Sequence, residues 1–333
     1  MGNLIKYSIF IIYFFSLVFS KLETQNFFLD IFNQLSFQIF IFGILILIIS
    51  LFFKEFILSI LYFFCLVYLS INILIPCNNC NEFQKDNTIV YNKIRLMTFN
   101  TSYSTDYDLP GWFVFLERTF INNKKLNSDK SKNMRDLKDL ILFENPDVVL
   151  FQETNLNFIN LLKGLDLNFP YQVQPSKFVE STESIILSKY PIIKNKNIAH
   201  NSILTKIIID KFEINILSPH LHSGINQKKF ILANKQMKIL KQIRKDIGEN
   251  IILMGDLNMT PISKRFSRFL ENLDLYTHSS FLKQVFSWPT YLPYLIGIQI
   301  DHVLYSKNFK MINKKTTISP GSDHRPLIVD LAF

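Results

Sequence analysis

The stretch Ile251-Ile252-Leu253-Met254-Gly255-Asp256-Leu257-Asn258 decides the fold. Four apolar residues stop abruptly at Gly-Asp-Leu-Asn. A short apolar run closed by glycine reads as a buried strand. Side chains two apart on a strand point the same way. Asp256 and Asn258 are therefore expected to face one bound group: a base, and an amide to hold what the base acts on. A strand ending in a solvated Asx turn carries the same letters, so the other strand ends must decide.

Several of them end polar as well. Residues 94–100 alternate and stop at Asn100, 147–153 deliver Glu153, and 213–222 close on Pro219-His220-Leu221-His222. Residues 298–305 contain Asp301-His302, and Gly321-Ser322-Asp323-His324-Arg325-Pro326 turns into a last strand over 327–331. Strands are also expected over 184–188 and 203–209. Helical spacing runs over 134–143, with Leu137, Leu140 and Ile141 on one face, until Asn145-Pro146 ends it. Further helices are expected over 156–165, 228–247 and 261–270. Strands mixed with helices define an α/β layered domain.

The chain has 333 residues and a net charge of +9. Its mean hydropathy is +0.17, with the apolar excess concentrated before residue 76. The remainder is long enough for one large domain with its own core. The positive balance suits a phosphate-rich partner, nucleic acid or anionic lipid; a general compositional bias that puts lysines on ordinary solvated faces is the better account of it. Three cysteines are too few for a disulfide framework. Cys77 and Cys80 form a CxxC that suits a local disulfide, a redox pair or half a metal site, and no second CxxC completes a zinc site.

Apolar runs at 4–20, 36–53 and 56–75 are expected to be helices, and spanning a bilayer takes roughly 20 such residues. The first run also suits a signal sequence. Residues 1–76 are thus expected to form a membrane segment of two or three transmembrane helices, 77–93 a linker, and 94–333 the layered domain. With Lys6 and Lys54 cytoplasmic, the layered domain falls on the outer side whether or not the first run is cleaved. A multi-pass location in the cell membrane with that sidedness agrees with an oxidised Cys77–Cys80 pair.

Asp301 sits in an otherwise apolar strand. A buried unpaired carboxylate is costly, and His324 is the obvious partner. Asp301 and His324, with Glu153, Asp256 and Asn258, read as a metal-dependent hydrolase site, the oxygen ligands suiting Mg²⁺ or Mn²⁺ held by Glu153. Six motifs carry a resemblance from residue 94 to 333: Thr98-Phe99-Asn100, Gln152-Glu153, His220-Leu221, Gly255-Asp256-Leu257-Asn258, Ile300-Asp301-His302 and Ser322-Asp323-His324. In this order they resemble the endonuclease/exonuclease/phosphatase superfamily, deoxyribonuclease I-like, in a membrane-anchored bacterial-type member. The resemblance implies a four-layer α/β sandwich, two β-sheets flanked by helices. It implies Glu153 as the chief Mg²⁺ ligand, helped by Asn100 and Asp323. It casts Asp256 as the group that orients or deprotonates the attacking water and Asn258 as holding a phosphate oxygen. His324 would contact the scissile phosphate with Asp301 fixing its ring, and His220 would be a second phosphate contact or the general acid.

Two departures stand out. Glu180 and Glu183 precede the 184–188 strand where related chains often have a small residue. His220-Leu221 also differs from the Tyr-containing segment of abasic-site endonucleases, which argues against base-excision repair. His222 is expected to be a bystander, His302 to point to the opposite face from Asp301, and His200 and His278 to be structural. Arg325 suits a substrate phosphate or the surface, and residues 287–291 suit aromatic stacking or an ordinary packed loop. The expected function is a membrane-anchored phosphodiesterase acting on nucleic acid. A sphingomyelinase- or phospholipase C-like enzyme, or another lipid- or small-molecule-phosphate hydrolase, is the alternative. A non-catalytic binding module comes third, because Glu153, Asp256, Asn258, Asp301 and His324 are all present. No protein partner is implied.

Overall fold

The computed structural model describes residues 2–20, 22, 26–73, 92–102, 130–174, 183–198, 202–278 and 284–333. Cys77, Cys80, most of the expected linker, Glu180 and His200 lie outside the described residues.

Eleven strands are described: β1 (Lys93–Asn100), β2 (Val148–Thr154), β3 (Tyr171–Val173), β4 (Glu183–Ser188), β5 (Ile192–Ile198), β6 (Ser202–Ile209), β7 (Phe212–Ser218), β8 (Ile251–Asp256), β9 (Asp301–Tyr305), β10 (Lys310–Thr316) and β11 (Leu327–Ala332). They build a six-stranded sheet, β10-β11-β1-β2-β4-β3, and a five-stranded sheet, β5-β6-β7-β8-β9. Both are mixed: β1–β2 and β7–β8 pair parallel, and the other named pairs are antiparallel.

Period-two alternation assigns each side chain to a layer. Ile94 and Leu96 of β1, Val148 and Leu150 of β2, Ile252 and Met254 of β8, and Val303 and Tyr305 of β9 share the core between the sheets. Met97, Phe99, Val149 and Phe151 face outward onto α5 (Lys130–Glu144) and α6 (Leu156–Lys163). Ile251, Leu253 and Leu304 face α7 (Gln227–Asp246) and α8 (Lys264–Leu273) on the other side. The result is an α/β fold of two sheets flanked by helices. Asn155, Asn226 and Ser263 cap α6, α7 and α8 through side-chain oxygens that accept from Phe158, Lys229 and Phe266 N–H groups.

The inter-sheet parity continues past the apolar residues. Asn100, Gln152, Asp256 and Asp301 follow Leu96, Leu150, Met254 and precede Val303 on the same faces, so polar groups from both sheets meet at one end of the sandwich. Gln152 ties the two sheets there. Its Nε2 donates to the Pro219 carbonyl at 2.9 Å and its Oε1 accepts from the Asp256 N–H at 2.7 Å. Gly255 makes room for this amide. Its φ is +144°, and a Cβ there would lie 2.5 Å from the Pro219 oxygen and 2.8 Å from Gln152 Nε2.

The apolar N-terminal runs are helical: α1 (Gly2–Phe19), α3 (Ser36–Phe52) and α4 (Phe56–Ile73), of 18, 17 and 18 residues. Between the first two lies α2 (Phe27–Gln34), a short amphipathic helix that the apolar runs did not announce. Among the described residues no single helix is long and apolar enough to cross a membrane; α2 and α3 reach that length and composition only together, bent by 61°.

Gly255→Ala is expected to destabilise the fold by about 2–3 kcal/mol, because both the backbone angle and the Gln152 contact are lost. Gly248→Ala, where the nearest atom is Asn215 Nδ2 at 3.7 Å, serves as the control. Urea unfolding that shifts equally for the two variants would contradict the packing at Gly255.

Candidate active site

Asp256 ends β8 with its side chain 2 % exposed, and it is the centre of the cluster. Its Oδ1 accepts from the Asn258 N–H at 2.8 Å. Its Oδ2 accepts from Asn100 Nδ2 at 3.2 Å and from Asn258 Nδ2 at 3.3 Å. His220 Nε2 and His324 Nε2 each stand 3.8 Å from the same oxygen. The two readings of Gly-Asp-Leu-Asn therefore coexist: an Asx turn forms, and it is buried in a polar cluster. Strand alternation is not what brings Asn258 beside Asp256. The strand stops at Asp256, and Asn258 returns by a left-handed φ of +49°.

Glu153 is re-aimed in a similar way. Alternation alone would send it to the opposite face from Gln152. The β2–β4 register shifts between Phe151 and Thr154, and Glu153 takes φ +52°. A bulge at a strand end commonly redirects a side chain in this way. Glu153 Oε1 accepts from Asn100 Nδ2 at 3.0 Å and lies 3.4 Å from His220 Nε2. One amide nitrogen thus bridges two carboxylates. The Asn100 amide is turned that way because its Oδ1 accepts from the Ser102 N–H at 3.1 Å. Left-handed backbone at non-glycine residues costs on the order of 1–3 kcal/mol each and gathers at functional sites; Ser102, Glu153 and Asn258 all adopt it here.

His324 and Asp301 form the floor. His324 Nδ1–H donates to Asp301 Oδ2 at 2.9 Å, which leaves Nε2 facing Asp256. Burial pushes the imidazole pKa down, but Asp301 outweighs it by charge and hydrogen bond, and with Asp323 and Asp256 raises it to about 10. Burial likewise pushes Asp301 up, and the charge and hydrogen bond of His324 hold it below the usual carboxylate value. Asp256 is different: burial and then the charge of Asp301 raise it to about 6, against the pull of His324, His220 and the Asn258 N–H.

The remaining side chains find other partners. Asp323 accepts from Ser102 Oγ and, at 3.0 Å, from Trp288 Nε1. His302 points away from Asp301, donates from Nε2 to the Met259 carbonyl at 2.7 Å and packs on Phe266, where burial lowers its pKa to about 4. Arg325 donates to the carbonyls of Pro289, Thr290 and Leu292, so it holds the 287–292 loop together. Three supporting residues have roles that the sequence did not signal, although Ser322 stood in a quoted motif. Gln236 of α7 accepts from the His222 N–H at 2.8 Å and donates to the His220 carbonyl at 2.9 Å, fixing the loop that carries His220. Ser287 Oγ accepts from the Ile300 and Asp301 N–H groups, both at 3.1 Å. Ser322 Oγ donates to the Asn100 carbonyl at 2.7 Å and accepts from the His324 N–H at 3.0 Å. Gln152 did stand in a quoted motif, but its bridging role is visible only in three dimensions.

Glu153 and Asp256 share the Asn100 amide, with imidazoles close by. This is a donor set of carboxylate oxygens that fits a hard divalent cation. Ligand atoms of Asp256, Asp301 and His324 also lie within 4.8 Å of one another. Of the two groupings the Glu153 side suits a cation better, because His324 in the other is held as an imidazolium.

Two mixed sheets with an acid–imidazole cluster at their joined ends define the class. The chain belongs to the Endonuclease/Exonuclease/phosphatase family, whose model matches residues 97–324. This is a family of divalent-metal-dependent phosphoesterases and nucleases. No curated protein matches the chain. Among solved structures it is similar to D. rerio TDP2 complexed with single strand DNA product, at 17 % identity and a TM-score of 0.52, over 72 % of this chain and 98 % of that one. The human Nocturnin catalytic domain is similar at 16 % identity and 0.52, over 73 % and 97 %. The 3' phosphatase NExo from Neisseria, bound to a product DNA hairpin, is similar at 14 % and 0.51, over 71 % and 98 %. At these identities the likeness is one of fold.

The His324–Asp301 pair is tested by NMR titration of the imidazole. Wild type is expected to titrate near pH 10, and Asp301→Asn to bring His324 back below neutrality; an unchanged titration would mean that Asp301 does not set its charge. Asp256 adds a second pH dependence in a lower range. Its folded pKa lies above its unfolded value of 3.8, so its contribution is lost as pH rises through about 6. In EDTA, the melting temperature of Asp256→Asn relative to wild type should therefore be higher at pH 8 than at pH 5. A difference that is flat with pH contradicts the burial of that charge.

Proposed function

We propose that the chain is a membrane-attached, Mg²⁺-dependent phosphodiesterase that hydrolyses nucleic-acid phosphodiester bonds by attack of water. The convergence of Glu153, His220, Asp256 and Asn258 over the His324–Asp301 floor carries this reading. Asp256, ionised above pH of about 6, orients the attacking water and accepts its proton. Asn258 Nδ2 donates to the Leu221 carbonyl at 2.9 Å and to Asp256 Oδ2 at 3.3 Å, and would hold a phosphate oxygen by giving up the longer contact. His324, its ring fixed through Nδ1 by Asp301, presents an Nε2–H to a second phosphate oxygen and stabilises the charge that grows there. His220 Nε2 protonates the leaving oxygen. When bound, Mg²⁺, or Mn²⁺ in its place, supplies positive charge against the phosphate and the leaving group. Glu153 would be its principal holder; Asn100, whose Oδ1 accepts from Ser102, and Asp323, held by Ser102 and Trp288, would each have to turn to join it.

Nucleic acid is the favoured substrate class. The net charge of +9 suits a polyanion, and two of the similar structures hold DNA products.

Membrane attachment rests on the surface of α1, α3 and α4. Ile12, Phe52, Phe56 and Ile57 are 67 %, 79 %, 67 % and 67 % exposed, on helices with few charges. An apolar surface of that kind calls for cover. Lys6 pairs with Glu55 at the α3–α4 turn, while the start of α3 touches the sandwich through Gln38 and Phe37. The 17 residues of α3 separate these ends by about 25 Å. With Lys6 and Lys54 on the cytoplasmic side, the sandwich lies outside.

Hydrolysis of a lipid or other membrane-bound phosphate is the second reading. It is favoured by the contact of α2 with the loop that carries Asn258: the Thr260 N–H donates to Gln34 Oε1 at 2.6 Å.

The test uses full chain purified in detergent from carbonate-washed membranes. With Mg²⁺ it is expected to cut plasmid or single-stranded DNA, to lose activity steeply with added salt, and to lose about a thousandfold or more in Asp256→Asn. Release of soluble phosphoryl head groups from vesicles without DNA cleavage selects the second reading. Inactivity on both substrates, with metal still bound, contradicts catalysis.

A further inference from the structure

A second polar concavity lies away from the cluster, where α2 meets α7 and α8. It is a cavity of about 160 Å³, lined by Lys238, Lys241, Lys264, Arg265 and Arg268, with Asp30 the one acid among the described residues around it. The charge imbalance is sharpened by the helix beneath. Ser263 caps α8, so Lys264 and Arg265 take its first two helical positions, and no acid stands in that turn. Cations at a helix N-terminus oppose the macrodipole, which there favours an anion.

Arg265 is built into the wall. Its side chain is only 10 % exposed, it lies 4.9 Å from the Phe230 ring centroid, and its Nη1 donates to Asp30 at 3.1 Å. Among the described residues its Nη2 has no hydrogen-bond partner. A buried guanidinium with an unused donor is costly unless something accepts from it. The position of the cavity narrows what that is. Leu22, also in its lining, stands three residues beyond Phe19, the end of apolar α1. The cavity therefore lies near the end of α1, which on the attachment proposed above is the membrane surface.

We propose that this cavity binds the phosphate of an anionic phospholipid head group, at the junction of the N-terminal helices and the sandwich. Arginine and lysine around a small concavity beside an apolar helix end are the chemistry by which basic pockets hold such head groups. The zwitterionic head group, whose ammonium meets five cations, is disfavoured. Arg265 Nε also donates to Met259 Sδ at 3.1 Å, so the cavity wall adjoins the loop that carries Asn258. The inference rests on the membrane attachment proposed above and not on the reaction.

The experiment compares thermal unfolding of full chain in detergent micelles with short-chain phosphatidylglycerol, short-chain phosphatidylcholine, or inorganic phosphate added. Phosphatidylglycerol is expected to raise the midpoint by several degrees and the other two to have little effect. Lys241→Gln combined with Arg268→Gln, both exposed and outside the catalytic cluster, should weaken the apparent affinity roughly tenfold or more while leaving the lipid-free midpoint and the DNA-cleaving activity in place. Equal shifts with both lipids, a phosphate shift matching that of phosphatidylglycerol, or an unaffected double variant each overturn the proposal. Carbonate washing of membranes is run alongside. Retention of wild type and variant keeps the attachment reading independent of the cavity, and release of both overturns that reading and the head-group assignment with it.

Discussion

The amide of Gln152 is the constraint on which the candidate site depends. It is fully buried, belongs to one sheet, and spends both ends of its side chain on the other, on the Pro219 carbonyl and the Asp256 N–H. Its own carbonyl accepts from the N–H and hydroxyl of Thr101, which fixes the exit of β1. Three chain segments that carry site residues are thereby tied to one atom group. Such a buried bridge is specific because each polar end left unmade costs its full desolvation. Gly255 is the complement: only a residue without Cβ leaves space for the bridge.

Around this join, the fold concentrates what it would elsewhere avoid. Asp256, Asp301 and His324 are taken out of water, and Ser102, Glu153 and Asn258 are held in left-handed backbone. Burial alone would neutralise all three titratable groups. Pairing decides otherwise for two of them, because Asp301 and His324 keep each other charged. Asp256, without an equally close cation, is left near the middle of the pH scale. One carboxylate is thus locked as an ion-pair partner and the other is poised to exchange a proton: Asp301 has both the charge and a hydrogen bond of His324 and a hydrogen bond from Ser287, whereas Asp256 is buried beside the charge of Asp301.

Much of this was legible in the letters. Apolar runs ending in Asn100, Glu153, Asp256 and His220 marked strands that stop at a site, whereas the shared inward parity of Asn100, Asp256 and Asp301 emerged only with the paired sheets. The pairing of Asp301 with His324 followed from the cost of burying a lone carboxylate. The helices over 134–143, 156–165 and 228–247 lie within a few residues of their expected ends. Three strands were not legible. β3 is three residues long, and β5 and β10 are lysine-bearing strands at sheet edges with weak apolar alternation. Glu153 and Asn258 were found, and Asn258 lies beside Asp256 as expected, but a left-handed turn and not strand parity brings it there, and a bulge re-aims Glu153. Gln236 and Ser287 sit in unremarkable local sequence and act only through contacts made across the chain.

The short helix α2 joins the two halves of the picture. Asn33 Oδ1 accepts from the Lys264 N–H, Gln34 engages Thr260, and Asp30 pairs with Arg265, so the apolar N-terminal helices are bound to the loop and helix directly behind Asn258. Polar residues at 30, 33 and 34 interrupt an apolar stretch for that reason. Groups from both sheets meet in one cleft, which we propose holds a divalent cation. Anomalous diffraction from Mn²⁺-soaked crystals tests it most directly. A single strong peak beside Glu153, absent in Glu153→Gln, is the predicted result; Mn²⁺ bound only outside the cleft, or a peak that survives the substitution, would contradict it.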